Sequence, residues 1–355
     1  MAYTTINKST DYFTPHIWSG TNSNHTESIG MQPDLVWVKG RNNTTDHTLF
    51  DAVRGPFGNG NSLSSNTTAA EGGSNTTAYG GISGVTSDGF TVTAGSGNAD
   101  YVNTSGRTYA SWNWKANGTG SANTDGSISS TVSANTTAGF SIVKVSKPNT
   151  SVATIGHGLG VTPKFIIGKD LDGVDNWTCY NEALGNGKGI YLNATNAEAT
   201  ASTFWNSTSP TSSVFTIGSD NTWNSPSMVF YCFADVQGYS KFGSYLGNSA
   251  DDGTFVYTGF KPALIMVKRT NSTGNWVMHD NRRSLSNGFN VNQYILYSNS
   301  SSDEITDESK VDLLSNGFKF RNALTDQNAN GSTYIYMAFA EAPLVGTNGV
   351  TAKAR

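Results

Sequence analysis

The residues best suited to chemistry are three short acidic clusters, Asp251-Asp252, Asp303-Glu304 and Asp307-Glu308. Glycoside hydrolysis needs two carboxylates at a set spatial separation, which sequence spacing does not reveal. The first reading of these clusters is solvated loops; Ca²⁺ ligation is the second and catalysis the third. The five histidines, His16, His25, His47, His157 and His279, form no His-Glu-x-x-His motif and no zinc-like spacing with carboxylates. No Gly-x-Ser-x-Gly nucleophile elbow occurs. Gly156-His-Gly158-Leu-Gly160 imitates a phosphate-cradling loop, but it runs into Val-Thr-Pro and a strand, not into a helix N-terminus. It is read as a turn. Asp51-Ala-Val-Arg54 and Asp280-Asn-Arg-Arg283 each place Arg three residues after Asp. A turn closed by an ion pair explains both; a carbohydrate or subunit contact is the sharper alternative. The corresponding Tyr180-Asn181-Glu182 lacks the Arg, which favours the structural account.

Trp177 and Trp276 could stack on sugar rings, but they sit beside apolar strands and are assigned to core packing. Cys179 and Cys232 lie in the apolar stretches WTCY and FYCFA. They are read first as buried reduced thiols, with a disulfide as the other option. The many Asn-x-Ser/Thr sequons follow from composition. No residue is therefore assigned a catalytic, cofactor-binding or metal-binding role, and no cofactor is expected.

The elements that would position such residues are strands. Charged residues make up only 14 % of the chain, and Ser, Thr, Asn and Gly take their place. Those side chains compete with helical hydrogen bonds, and 39 Gly against 9 Pro suit many tight turns. Aromatics at 11 % supply bulk for several cores. A net charge of -4 offers no general attraction for nucleic acid or an anionic membrane. There is no bilayer-spanning apolar run, and the opening residues lack a signal-peptide pattern.

An internal repeat organises the chain. Pro33-Asp-Leu-Val-Trp-Val-Lys39, Pro163-Lys-Phe-Ile-Ile-Gly-Lys169 and Pro262-Ala-Leu-Ile-Met-Val-Lys268 share a Pro, an apolar run and a Lys. Gly30, Gly160 and Gly259 precede them, and His47, Trp177 and Trp276 follow each Pro by fourteen positions. Asn66, Asn193 and Asn299 come next, then the strands beginning at Ser87, Ser213 and Ser315, and last aromatic strands ending at Trp114, Phe233 and Phe339. Pro suits a strand's first position, and the near-continuous apolar runs imply strands buried on both faces. The repeat divides the chain into residues 1–117, 118–236 and 237–344, with a tail over 345–355. Residues 117–126, rich in Gly and Asn, read as a flexible connector; the 234–241 junction has little slack. Short strands and turn signals at close intervals, without a helical stripe, give an all-β chain of three tandem β-sandwich or jelly-roll domains.

The segments GHGLGVTPKFIIGK, YCFADVQGYSKFGSYLGN, GTFVYTGFKPALIMVKR and YIYMAFAEAP resemble a repeated domain of unassigned function in structural and tail-fibre-like proteins of tailed phages. The resemblance covers roughly residues 1–343. It implies a laminin-G or lectin-like sandwich on the exterior of a virion, without catalysis. By analogy the partners would be other virion proteins, further copies in a homo-oligomer (a trimer) and host surface glycans, with no nucleic acid and no membrane insertion. A capsid-surface decoration protein and a secreted lectin-like adhesin are the alternatives; a polysaccharide-degrading enzyme comes last. His47, standing where the other units have Trp, argues against one ligand site common to all three.

Overall fold

The computed structural model describes residues 3–58, 60–73, 76–97, 100–146, 152–223, 225–283, 290–306, 310–346, 349 and 351. Among them, all regular structure is antiparallel β-sheet apart from two four-residue α-helices, Thr76–Tyr79 and Thr325–Asn328, and two short 3-10 turns. Turn-forming side chains and scarce helix formers produce this outcome directly.

The repeated sequence features fall on strands that pair in one recurring order. In the first third the opening strand Phe13–Ser19 pairs with the closing strand Thr108–Trp114, which pairs with the Pro-motif strand Leu35–Gly40, followed by Thr48–Asp51. In the second the order is Phe140–Ser146, Ser227–Phe233, Phe165–Asp170 and Thr178–Asn181. In the third it is Ser240–Leu246, Thr333–Pro343, Phe260–Arg269 and Trp276–Asp280. Each large sheet carries a smaller one against one face. These are His25–Ser28, Gly89–Thr93 and Gly81–Thr86; Ala153–Gly156 with Val214–Ile217; and Phe255–Tyr257, Gly317–Phe320 and Val311–Leu314.

The two-residue period of a strand explains why the motif strands read as unbroken apolar runs. Leu35 and Trp37 point one way, into a core shared by all three thirds; Val36 and Val38 point the other way, toward Ile82, Phe90 and Val92 of the small sheet. Phe165 and Ile167 repeat the division against Ile166, as do Tyr231 and Phe233 against Phe230 and Cys232. The shared core converges on six rings. Trp114, Phe233 and Phe339, the last aromatics of the closing strands, lie 5.5–6.2 Å apart by ring centroid. Phe13, Phe140 and Phe242 of the opening strands pack around them, Phe13 and Phe140 each 4.9 Å from the nearest closing-strand ring. Burying rings of this size stabilises by roughly 1.5–3 kcal/mol each.

Two expectations are corrected, and the sheets prove larger than the repeat. Residues 117–126 are not a loose connector: Ser121–Asn123 pairs with Ser130–Asn135 at the edge of the second large sheet, and the Asn117 N–H donates to Ser133 Oγ. The second and third large sheets gain strands beyond the repeated four, so the second reaches eight. Pro262 lies inside its strand, not at the start, where the register with the closing strand shifts, and the irregularity accommodates its missing N–H. The turn glycines behave as their repetition suggests: Gly30, Gly160 and Gly259 have φ of +82°, +73° and +83°, a left-handed conformation that suits Gly. The chain's first described residues return to its last third. Tyr3 Oη donates to the Gly259 carbonyl, and a Cβ on Gly238 would meet Thr4 at 2.9 Å and Pro343 at 3.3 Å.

Candidate functional site

The two Asp-Arg turns are buried ion-pair networks. Arg54 Nε donates to Asp51 Oδ2, its Nη2 to the Leu49 carbonyl at 2.9 Å, and its Nη1 to Glu71 at 2.8 Å. Arg283 repeats each step with Asp280, the Met278 carbonyl at 2.9 Å and Glu304 at 3.0 Å. Each Asp also receives a donor from another third: Tyr231 Oη reaches Asp51 at 2.7 Å, and Trp112 Nε1 reaches Asp280 at 3.0 Å. Burial opposes the Asp280 charge, yet Arg283, backbone N–H groups and Trp112 hold its carboxyl below the usual carboxylate range. Arg54 and Arg283 are likewise buried, but their carboxylate partners push their pKa values up.

In the second third the corresponding trio is Asn181, Leu184 and Met337. Leu184 and Met337 pack in the shared core, and Asn181 Nδ2 has no hydrogen-bond partner among the described residues. Glu182 pairs instead with Lys164 at the surface. The ion pair is thus confined to two junctions, as the missing Arg implies.

Trp177 and Trp276 are fully buried at junctions between thirds and are not available for sugar stacking. Trp177 Nε1 donates to the Ser64 carbonyl at 2.9 Å and Trp276 Nε1 to the Tyr191 carbonyl at 2.9 Å. His47 fills the same role at the remaining junction, with Nε2 3.0 Å from the Tyr297 carbonyl. Its tautomer is fixed by its partners. Trp37 Nε1 can only donate and reaches His47 Nδ1 at 2.8 Å, so Nε2 carries the proton. The substitution of His for Trp therefore conserves the donor. The repeated Asn residues buttress these positions: Asn66, Asn193 and Asn299 accept the backbone N–H of residues 47, 177 and 276 at 2.8–2.9 Å.

A further set of equivalent residues was not singled out from the sequence. Glu71, Glu198 and Glu304 each lie five positions after those Asn residues. Their backbone N–H groups donate to the carbonyls of Leu171, Thr270 and Arg41, at 2.6–2.8 Å. The first third thus bonds to the second, the second to the third and the third back to the first. The signal was present in the spacing but hidden by the variable side chains between. The motif lysines are buried as well. Lys169 and Lys268 donate to the carbonyls of Thr68 and Thr195 in the preceding third, whereas Lys39 bonds within its own loop. Burial pushes Lys39 and Lys268 down to about 8.

Of the acidic clusters, Asp251 and Asp252 are exposed, and Asp252 pairs with Lys319 and Arg321. Glu304 is not in a solvated loop: it is buried between Arg41 and Arg283. Asp307 and Glu308 lie outside the described residues. His157 is buried, and the Gly156–Gly160 loop forms no helix terminus. Cys179 and Cys232 are free thiols on opposite faces of the second large sheet, and burial pushes both thiols up. Among the described residues no group of three or more His, Cys, Asp or Glu comes together as a metal site, and no helix is long and apolar enough to cross a membrane.

What is open to solvent lies at the seams. A cleft of about 590 Å³ between the first and last thirds is lined by His16, Ile17, Arg282 and Glu341. Glu341 is already engaged by Lys261 and Asn281. A second, of about 510 Å³, lies beside Tyr3, Lys241 and Tyr257. A groove of about 330 Å³ brings Tyr79 and Tyr101 beside Asp46 and Asp100. The last is the smallest and most open of the three, and it combines exposed aromatic surface with polar groups. No sequence signal marked it, because its residues come from separated loops and share no motif.

The domain of unknown function DUF7483 matches residues 8–343. The chain belongs to that family. The DUF7483 match runs from the opening strand of the first third to the end of the last closing strand, and so takes in every junction described above. No curated protein and no solved structure matches the chain.

Proposed function

We propose that this DUF7483 chain is a non-enzymatic structural protein of a tailed-phage virion, a rigid exterior projection of three tandem β-sandwich units that close on one another. The closed cycle of junction bonds carries this reading: His47, Trp177 and Trp276 each donate to the neighbouring third, and the last third bonds back to the first. A protein that presents surface in a particle gains from this rigidity. Of the carboxylates that sequence offered for catalysis, Glu304 is occupied by Arg41 and the buried Arg283, which favours a scaffold, as do the Asp51–Arg54 and Asp280–Arg283 pairs. The virion context rests on the sequence resemblance. Units over 1–117, 118–236 and 237–344, with a tail over 345–355, suit the recurring strand order.

The partners in this reading are other virion proteins, further copies of the chain and host surface glycans. A capsid decoration protein or a secreted lectin-like adhesin is the alternative. Mass spectrometry of particles purified by density gradient from an induced lysate tests it. The reading expects the 37.7 kDa chain to copurify with particles and to be labelled by antibody on intact ones. Its presence only in the soluble fraction would favour the adhesin.

A further inference from the structure

We propose that the groove between Tyr79 and Tyr101 is a binding site for neutral carbohydrate. The proposal rests on the glycan partner of the reading above and gives it a site, and it holds equally for a virion protein and a secreted lectin. Tyr79, at the end of the short helix Thr76–Tyr79, is 37 % exposed. Its ring meets Tyr101 with centroids 5.2 Å apart and planes at 63°, an open corner of two aromatic surfaces. A pyranose ring offers an apolar C–H face and a rim of hydroxyls, and such a corner fits the face while polar groups take the rim.

The polar groups are in place. Asp46 and Asp100 line the same groove with the hydroxyl residues Thr45 and Ser301, the last contributed by the final third of the chain. Asp46 Oδ1 accepts from Asn66 Nδ2 at 2.7 Å, which orients the carboxylate and leaves its other oxygen for a ligand hydroxyl. The Thr45 hydroxyl is buried against Gly40 and takes no part in the groove's open surface, so the polar rim is Asp46, Ser301 and the Tyr hydroxyls. Burial, with Asp46 and Asp100 nearby, pushes the Tyr101 hydroxyl up in pKa, so it stays protonated as a donor.

The same residues exclude other ligand classes. None of the lining residues is cationic, and Asp46 repels phosphate, sulfate and nucleotide groups, while Asp100 is already paired with Arg107 at 2.8 Å. The polar rim does not suit a lipid chain. The groove also differs from the two larger clefts, whose linings include Arg282 in one and the Lys241–Asp235 pair in the other.

Affinity electrophoresis of the full chain in native gels containing soluble starch, galactomannan, xyloglucan or dextran, with dextran sulfate as a charged control, tests the site. At least one neutral polysaccharide should retard the protein. Tyr79→Ala and Tyr101→Ala should each weaken that retardation by about tenfold in Kd, Asp46→Asn by several-fold, and Tyr101→Phe far less. Near-UV dichroism of the buried tryptophans checks the fold; should Tyr101→Ala disturb it, Tyr79→Ala, with its exposed ring, carries the test. Retardation by none of the four, by dextran sulfate alone, or equally in wild type and Tyr79→Ala would overturn the proposal.

Discussion

At the scale of single residues, buried polar groups set the sharpest expectations. His279 is fully buried with its pKa lowered to about 4 by burial, and His47 is also held well below its ordinary value. The unfolded chain takes up these protons near the ordinary histidine value while the folded chain refuses them, so stability falls as pH drops from about 6.5 toward 4. His279 alone should remove about 3 kcal/mol over that window. Urea unfolding at pH 7 and pH 4.5 measures the loss, and a flat profile contradicts the assigned neutral tautomers. The Asp280–Arg283 pair gives a second expectation. Asp280→Asn or Arg283→Leu alone strands a buried partner and should cost about 3–5 kcal/mol. The double variant copies the Asn181–Leu184 pair of the second third and should cost less than the two single changes together. A double-mutant cycle in urea decides it.

At the scale of elements, the strands were the legible part. The Pro-to-Lys runs, the aromatic closing strands and the Gly turns landed where their period and turn chemistry put them, because those signals are local. Pairing across thirds was not legible. Glu71, Glu198 and Glu304 recur at one spacing, but their links across thirds run through backbone N–H groups, whose partners no side-chain pattern names. The 117–126 segment has a linker's composition yet pairs as an edge strand, since tertiary context overrides composition. Tyr79, Tyr101 and Asp46 meet only through folding. The turn glycines carry a prediction at this level. Gly160→Ala has open space for its Cβ and should cost only the roughly 1 kcal/mol of its left-handed backbone. Gly259→Ala would also drive a Cβ to 2.5 Å from Tyr3 Oη and should cost more. Paired thermal melts rank the two.

At the scale of the whole molecule, the shared core joins the thirds into one cooperative body. Removing residues 237–355 would expose Trp114 and Phe233, whose rings pack against Phe339. The remaining chain should therefore lack fixed near-UV dichroism and yield to protease, where independent beads would fold unaided. Calorimetry of the intact chain should show one transition, not three. Light scattering addresses assembly: the proposed reading expects a homo-oligomer, a trimer by analogy, and a persistent mass of 37.7 kDa at every concentration would count against it.

Tyr3 resting on Gly259, and Thr4 and Pro343 both reaching Gly238, have a consequence for the order in which the polypeptide is written. Joining residues 4 and 343 by a few glycines and opening the chain near residue 118 or 237 would give circular permutants with the same neighbours throughout. Each third could lead. For the same reason the body could be inserted into a surface loop of another protein, with both ends leaving from one spot.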